Sequence, residues 1–352
     1  MKVFVTGIAG FIGFYVAKKL AENGHEVIGV DILNNYYDPS IKFERLKILG
    51  FDCKDINSGR VIQSNRYDNL SFVYLDILDK DKILSLFACY KFTHVCHLVA
   101  QAGIRDSLEN PDSYVSVNIV GFFNVLDACR IYKDDIEHFV YASTSAVYGL
   151  NEKMPSDEDN ITDHPLNLYA ASKKSNELIA HAYSASFNIP TTGLRFFTVY
   201  GPYGRPDMAL YLFADGIVNK TPINVFNNGN MARDFTYVDD IVDGVYSILK
   251  NPAASDSKFD VNNPNSSSSI APYRIYNIGT GHSVKLTEFI NELEINLGNK
   301  ADKRFLPMQK SEVIESCCDV SKLKKIFNYE ALICIKEGIK KFADWYKSRM
   351  VE

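Results

Sequence analysis

The chain has 352 residues, 46% of them hydrophobic and 23% charged, with a formal net charge of −5. That length supports a large core and about two domains, and the composition is ordinary for a globular protein. The negative balance gives no reason to expect nucleic acid or an anionic membrane as partner, and no apolar run reaches the roughly 18 residues of a membrane span.

The chain opens MKVFVTG, straight into a strand, which leaves no room for a signal peptide. Apolar strand-like runs follow at 2–6, 26–31, 71–75, 94–98, 138–142 and 191–196. They alternate with amphipathic, helix-length stretches at 11–23, 80–90, 111–132 and 166–187. The runs are near-continuous in apolar and β-branched residues, as strands covered on both faces require. This alternation predicts an α/β fold with a doubly wound parallel (Rossmann) sheet. Past about Pro202 the pattern loosens. Residues 261–272 (VNNPNSSSSIAP) read as a polar, mobile loop, and helical stretches recur at 285–297, 321–327 and 335–347. The predicted division is a cofactor domain over 1–195 and a smaller, mostly C-terminal α/β substrate lobe over 196–352, with part of 233–250 returning to the first domain.

Seven cysteines are scattered, and Cys317 and Cys318 form the sole close pair. The count is odd and shows no metal-ligand spacing, which fits a reduced, cytoplasmic protein with no metal site. Cys53, Cys89, Cys96, Cys129 and Cys334 read as small apolar fillers.

Gly7, Gly10 and Gly13 stand in TGIAGFIG, between the first strand and the first helix. Glycine permits a tight strand-to-helix turn and close backbone approach to a pyrophosphate. The N–H groups that open the helix, at Phe11 and Ile12, offer a positive dipole end to it. Asp31 closes the second strand, 18 residues after Gly13, where a carboxylate accepts hydrogen bonds from an adenosine ribose. A carboxylate there repels a 2′-phosphate, so NAD is favoured over NADP. Asp76, followed by Ile77, ends the third strand and is a candidate for the adenine amino group or a simple strand-end turn residue.

Tyr169 and Lys173 in YAASK share one face of a helix. A phenol titrates near 10, so acting as a base near neutrality requires roughly 4 kcal/mol of preferential phenolate stabilisation. Lys173 and a nicotinamide cation are the expected sources. Thr144, in the hydroxyl-rich strand end Ser143–Thr144–Ser145, is placed to bond the same substrate hydroxyl, because strand C-termini gather at the ligand crevice.

These motifs, with HLVAQAGIRDS, RFFTVYGPYGRPDMA, RDFTYVDDI and YNIGTG, resemble the extended short-chain dehydrogenase/reductases that act on nucleotide sugars. The likeness covers nearly the whole chain and is greatest to the UDP-glucuronate 4-epimerases. The resemblance implies that Thr144, Tyr169 and Lys173 are catalytic, that C4 of a UDP-sugar is oxidised against bound NAD⁺ and reduced from its other face, and that Leu98, Ala100, Asn118, Ser143 and Phe196 line the cofactor site. It further implies a homodimer formed through 111–132 and 166–187.

Related dehydratases and decarboxylases carry Glu before VYG, where this chain has Ala146 after Ser145. Losing that acid argues against dehydration and fits an epimerase, whose redox step needs no second proton carrier. By resemblance, Thr198 and Arg205 hold a sugar carboxylate, and Arg is suited to this by its planar donor fork. From composition alone Arg205 could equally pair with Asp207. Arg233 is implied at the diphosphate, with Asp234 or Asp239 as alternative partners; Arg105 is a second phosphate or interface candidate. Glu312, in MQKSEV, stands where the family's MQPGDV has the Asp expected at the uridine ribose. A UDP-hexose or UDP-N-acetylhexosamine 4-epimerase is the competing enzymatic reading, and a non-catalytic NAD-binding regulator the competing class.

Overall fold

The computed structural model describes residues 1–350 apart from 53, 55, 57 and 58; the reading of Cys53 as a core filler therefore lies outside the described residues. Fourteen strands are present among them: β1 Lys2–Thr6, β2 Glu26–Asp31, β3 Val61–Gln63, β4 Leu70–Tyr74, β5 His94–His97, β6 His138–Thr144, β7 Thr191–Phe196, β8 Thr198–Tyr200, β9 Ile223–Val225, β10 Ala232–Arg233, β11 Phe235–Tyr237, β12 Tyr273–Ile278, β13 Val284–Lys285 and β14 Lys303–Phe305. Eight of them form one sheet in the order β12-β7-β6-β5-β1-β2-β4-β3. Its pairings are parallel except at the edge, where β3 runs antiparallel to β4.

Alternation along each strand feeds two cores. Val3 and Val5 of β1, with Val140 and Ala142 of β6, pack on one face; Phe4, Phe139 and Tyr141 pack on the other. The second core is aromatic, with Phe4, Phe87 and Phe92 at ring separations of 5.0–5.3 Å. A strand buried on both faces needs an apolar residue at every position, which is why these runs were legible.

β6 runs on to Thr144, two residues past the predicted end, because Ser143 and Thr144 pair with Arg195 and Phe196 of β7. The helix expected from 166 begins at Leu168, since the Asn167 side chain accepts from the Ala170 N–H and caps it. The predicted helix at 111–132 is a composite running Pro111–Ile131, with a widened π segment over Val115–Gly121. By length and composition this stretch is apolar enough to cross a membrane, but more than half of it is buried inside the protein.

Several elements escaped the sequence reading: the helices Ser40–Ile48, Ala209–Asn219 and Val238–Leu249, and the strand β12. β12 extends the large sheet beside β7, and Val238–Leu249 packs on the helix Phe11–Glu22. The Ser/Asn-rich loop is not free. Ser266 donates to the Glu158 carbonyl at 2.7 Å, Ser269 Oγ lies 2.9 Å from His181 Nε2, and Ser267 bonds Asp159. Small hydroxyl side chains satisfy buried backbone here, so a composition that reads as mobile is tied down.

In the C-terminal part, Ala209–Asn219, Leu286–Leu297 and Ile335–Ser348 pack together. Phe235 stacks on Phe289 at 4.2 Å. Short strand pairs β8–β11, β10–β13 and β9–β14 carry the connecting segments.

Candidate active site

The strand order reverses between β1's two neighbours, β2 and β5, and a crevice opens beyond the strand C-termini, as such sheets dictate. It is a cleft of about 1160 Å³. One end is the Gly-rich turn. Gly7 has φ +78°, and a Cβ there would lie 3.0 Å from the Val99 nitrogen. A Cβ on Gly13 would stand 2.1 Å from the Gly7 carbonyl oxygen. The turn is therefore closed to any larger side chain at both positions. Gly10 is the N-cap of Phe11–Glu22 and offers no side chain to it, so the first N–H groups of the helix are open to an anion. Asp31 is buried and accepts from the Ala9 and Leu33 N–H groups at 3.2 and 2.9 Å. Asp76, Ile77, Leu98, Ala100 and Phe196 lie along the adjoining wall. This donor-rich, narrow-backed end suits a dinucleotide diphosphate with its ribose at Asp31.

Asn118 does not reach the cleft surface. It is 1% exposed behind the wall, where Oδ1 accepts from Gln101 N at 2.8 Å and Nδ2 donates to Gln101 O at 2.9 Å and Ser172 Oγ at 3.0 Å. The π segment turns this amide inward, so it shapes the loop after β5. Ser143 lines the cleft, but its hydroxyl is spent on Glu177 Oε1 at 2.7 Å.

At the centre, Thr144, Tyr169 and Lys173 come together from β6 and the helix Leu168–Phe187. Thr144 caps the turn Ser145–Tyr148 by accepting from the Ala146 N–H at 3.2 Å. Burial raises the Tyr169 phenol, while the Thr144 hydrogen bond and the Arg205 charge pull it down. Burial lowers Lys173 to about 7, and its Nζ donates to the Ala142 carbonyl at 2.9 Å. Of the two expected sources of phenolate stabilisation, Lys173 and a nicotinamide cation, the first is weakened. Its ammonium is itself disfavoured by burial, and the positive charge acting on the phenol within the protein comes from Arg205.

The far end carries Thr198, Ser145, Arg205, Arg233, Arg105 and Glu312. Arg205 pairs with Asp207 through Nε at 3.0 Å and donates to the Ala102 carbonyl at 2.7 Å, with its guanidinium 5.1 Å from the Tyr36 ring. Arg233 takes neither Asp234 nor Asp239. It donates to the carbonyls of Val313 and Ile314 at 2.8 and 3.0 Å and stands 3.7 Å from Glu312. Burial lowers Arg233, against the pull of Glu312. Arg105 reaches Glu312 at 3.4 Å and lies over Phe226. Glu312 therefore joins the two arginines at the cleft mouth.

The sequence pattern of the NAD dependent epimerase/dehydratase family matches residues 3–279. The chain belongs to that family. It is 47% identical over 347 residues to "Protein CapI" of Staphylococcus aureus, covering 98% of each chain. It is 39% identical over 347 residues to a "Probable UDP-glucuronate 4-epimerase" of Rhizobium meliloti, covering 98% of this chain and 97% of that one. The solved UDP-glucuronic acid 4-epimerase from Bacillus cereus, in complex with UDP-glucuronic acid and NAD, superposes with a TM-score of 0.83 at 30% identity, over 99% of this chain and 100% of that chain.

Within the family frame, three cleft-side residues were missed in the sequence. Lys42 is buried at the cleft wall and donates to Asn34 Oδ1 at 2.6 Å; burial lowers its ammonium, against the pull of Asp31. Tyr36 donates to the Ala102 carbonyl at 3.2 Å, the same oxygen that Arg205 uses. Arg45 is fully buried and donates to the Ala9 carbonyl and the Tyr37 hydroxyl. For Tyr36 the available signal was position: NNYYD begins three residues after the strand ends at Asp31, and strand C-termini face the crevice.

Proposed function

We propose that this protein interconverts UDP-glucuronate and UDP-galacturonate by epimerising C4, with NAD as resident cofactor. The observation that carries the reading is one continuous cleft. It joins the Gly-rich turn, the Thr144–Tyr169–Lys173 centre and the Thr198–Arg205–Arg233 end, with Ala146 standing where acid-dependent relatives keep a carboxylic acid. The resemblance to proteins called UDP-glucuronate 4-epimerase supports it.

Gly7, Gly10, Gly13 and the helix behind them would hold the diphosphate of NAD, and Asp31 its ribose. When bound, NAD⁺ supplies a hydride acceptor that later becomes the donor. The chain's own residues do the rest. Tyr169 takes the C4 hydroxyl proton on its phenolate oxygen, and Thr144, hydrogen-bonded to the phenol, orients that hydroxyl. The 4-keto sugar turns in the cleft to present the other face of C4, and Tyr169 returns the proton to the C4 oxygen. Arg205 and Thr198 hold the carboxylate. A 4-keto-uronate is a β-keto acid, and a clamped carboxylate is kept from the geometry in which CO₂ leaves. Arg205 must share itself between Asp207 and the substrate, which is the one observation that favours a neutral UDP-hexose.

The deciding experiment is proton NMR of the purified protein with UDP-glucuronate, UDP-glucose and UDP-N-acetylglucosamine in parallel. Conversion of UDP-glucuronate without loss of carbon dioxide or water is expected. Turnover of a neutral sugar alone would overturn the uronate reading.

We also propose a homodimer, supported by the exposed apolar side chains Val120 and Phe123 on the composite helix and Leu178 on Leu168–Phe187. Gel filtration at monomer mass would refute it. A cytoplasmic location is proposed from the free state of the described cysteines, and cell fractionation tests it.

A further inference from the structure

We infer that Arg45 is a positioning residue that sets the cofactor turn and the carboxylate-binding loop with one guanidinium. The inference rests on the function proposed above and deepens it. Arg45 sits on the helix Ser40–Ile48 and is 0% exposed. Its five N–H groups are fully used. Nη1 donates to the Ala9 carbonyl at 2.7 Å and to the Tyr37 hydroxyl at 2.9 Å. Nε and Nη2 donate to the Tyr203 carbonyl at 3.0 and 2.8 Å, and Nη2 also reaches the Gly204 carbonyl at 3.1 Å.

These acceptors belong to the two ends of the site. Ala9 lies within the Gly-rich turn, and its peptide is held from both sides: its N–H goes to Asp31 and its carbonyl to Arg45. Tyr203 and Gly204 immediately precede Arg205. Tyr203 has φ +53°, a conformation that a residue with a side chain adopts at a cost. Two hydrogen bonds from Arg45 to its carbonyl, and packing of its ring on Phe14 and Trp345, hold it there. Tyr37, whose hydroxyl Arg45 engages, lies under the Arg205 guanidinium at 5.8 Å. Arg45 thus reaches Arg205 through the backbone and through a ring.

The set of partners also explains why the residue is arginine. All its acceptors are neutral oxygens, and no carboxylate pairs with it among the described residues. A buried cation without a counter-charge is costly unless every donor is satisfied. Lysine has three donors on a single nitrogen and cannot span Ala9, Tyr37 and Tyr203–Gly204 together. The charge lies one carbonyl behind the Gly-rich turn, so a dinucleotide held there would supply negative charge close to it.

The test compares wild type, Arg45→Met and Arg45→Lys in three measurements: NAD released per protomer on denaturation, calorimetric affinity for UDP-glucuronate and for UDP, and KM against kcat per NAD-loaded protomer. Arg45→Met is expected to lose most of its bound NAD. Its UDP-glucuronate affinity should fall at least tenfold more than its UDP affinity, with the loss in KM exceeding that in kcat. Arg45→Lys, which keeps the charge and not the geometry, should recover NAD content but not the preference for the uronate. Should Arg45→Met fail to fold, the Arg45→Lys comparison decides. Variants with wild-type NAD content and wild-type KM, changed in melting temperature alone, would overturn the inference. A wild-type protein that binds NAD and UDP-glucuronate yet never turns the sugar over would instead sink the proposed function, with the binding comparison still standing.

Discussion

Lys173 donates to the Ala142 carbonyl at 2.9 Å, one helical turn from Tyr169, and so ties the helix Leu168–Phe187 to β6 two residues before its end. The lysine is first a strut between helix and strand and second a charge. That order shapes what each substitution at the centre does.

Tyr169→Phe removes the proton carrier and leaves the Gly-rich turn and Asp31 untouched. The rate of C4 epimerisation is expected to fall by roughly 10²–10⁴, the usual contribution of a positioned acid/base. Bound NAD, measured by absorbance after denaturation, stays at the wild-type level.

Lys173 makes stability depend on pH in a defined direction. Burial lowers it to about 7 in the folded protein, whereas an unfolded lysine keeps its ordinary value of 10.5. Between those values the unfolded chain holds the extra proton, so the folded state gains stability as pH rises from about 7 to about 10. Lys173→Met should flatten that slope in urea unfolding of the cofactor-free protein. An unchanged slope would mean that Lys173 does not titrate there.

On the proposed function, Arg205 acts on both substrate and base. Arg205→Ala removes charge-assisted hydrogen bonds worth about 1.5–3 kcal/mol, so KM for UDP-glucuronate should rise roughly ten- to hundredfold while UDP affinity holds. The guanidinium also lowers the Tyr169 phenol. With it gone the phenol titrates higher, and the rising limb of the kcat/KM profile moves to more alkaline pH.

A buried ion pair holds the layer beneath the site. Arg195 Nε and Nη2 each lie 2.9 Å from a Glu177 oxygen, with both side chains almost wholly buried. Glu177 also accepts from Ser143, next to Thr144. Glu177→Gln leaves the arginine charge uncompensated and should destabilise the fold by about 3–5 kcal/mol in denaturant unfolding.

The parts of this fold that could be read from sequence are those where one physical demand acts along a continuous stretch. β1, β2 and β7 are buried on both faces, so their apolar runs ended at the observed residues. The helix Lys80–Tyr90 was equally plain, with Asp79 accepting from the Lys82 N–H as its cap. Thr144, Tyr169 and Lys173 were recognisable as a set because spacing along one helix and one strand end brings them together. Lys42 and Arg45 were not, since they owe their place to tertiary folding of a weakly amphipathic helix over the cofactor turn, and Tyr36 lies in the segment that leads into it. β12 was hidden by distance, 77 residues after β7 ends at Phe196, although the two pair over six positions. The pull of Arg205 on Tyr169 was not legible, because sequence spacing shows which charges are near, and not which of them burial suppresses.

The central claim is that C4 is oxidised and reduced within one closed site. The most direct test is turnover of UDP-glucuronate carrying deuterium at C4, followed by mass spectrometry and NMR of the product. UDP-galacturonate with the label kept at C4 is the predicted result. Product that has lost the label to solvent, or labelled substrate that returns unconverted from NAD-loaded protein, would contradict the account.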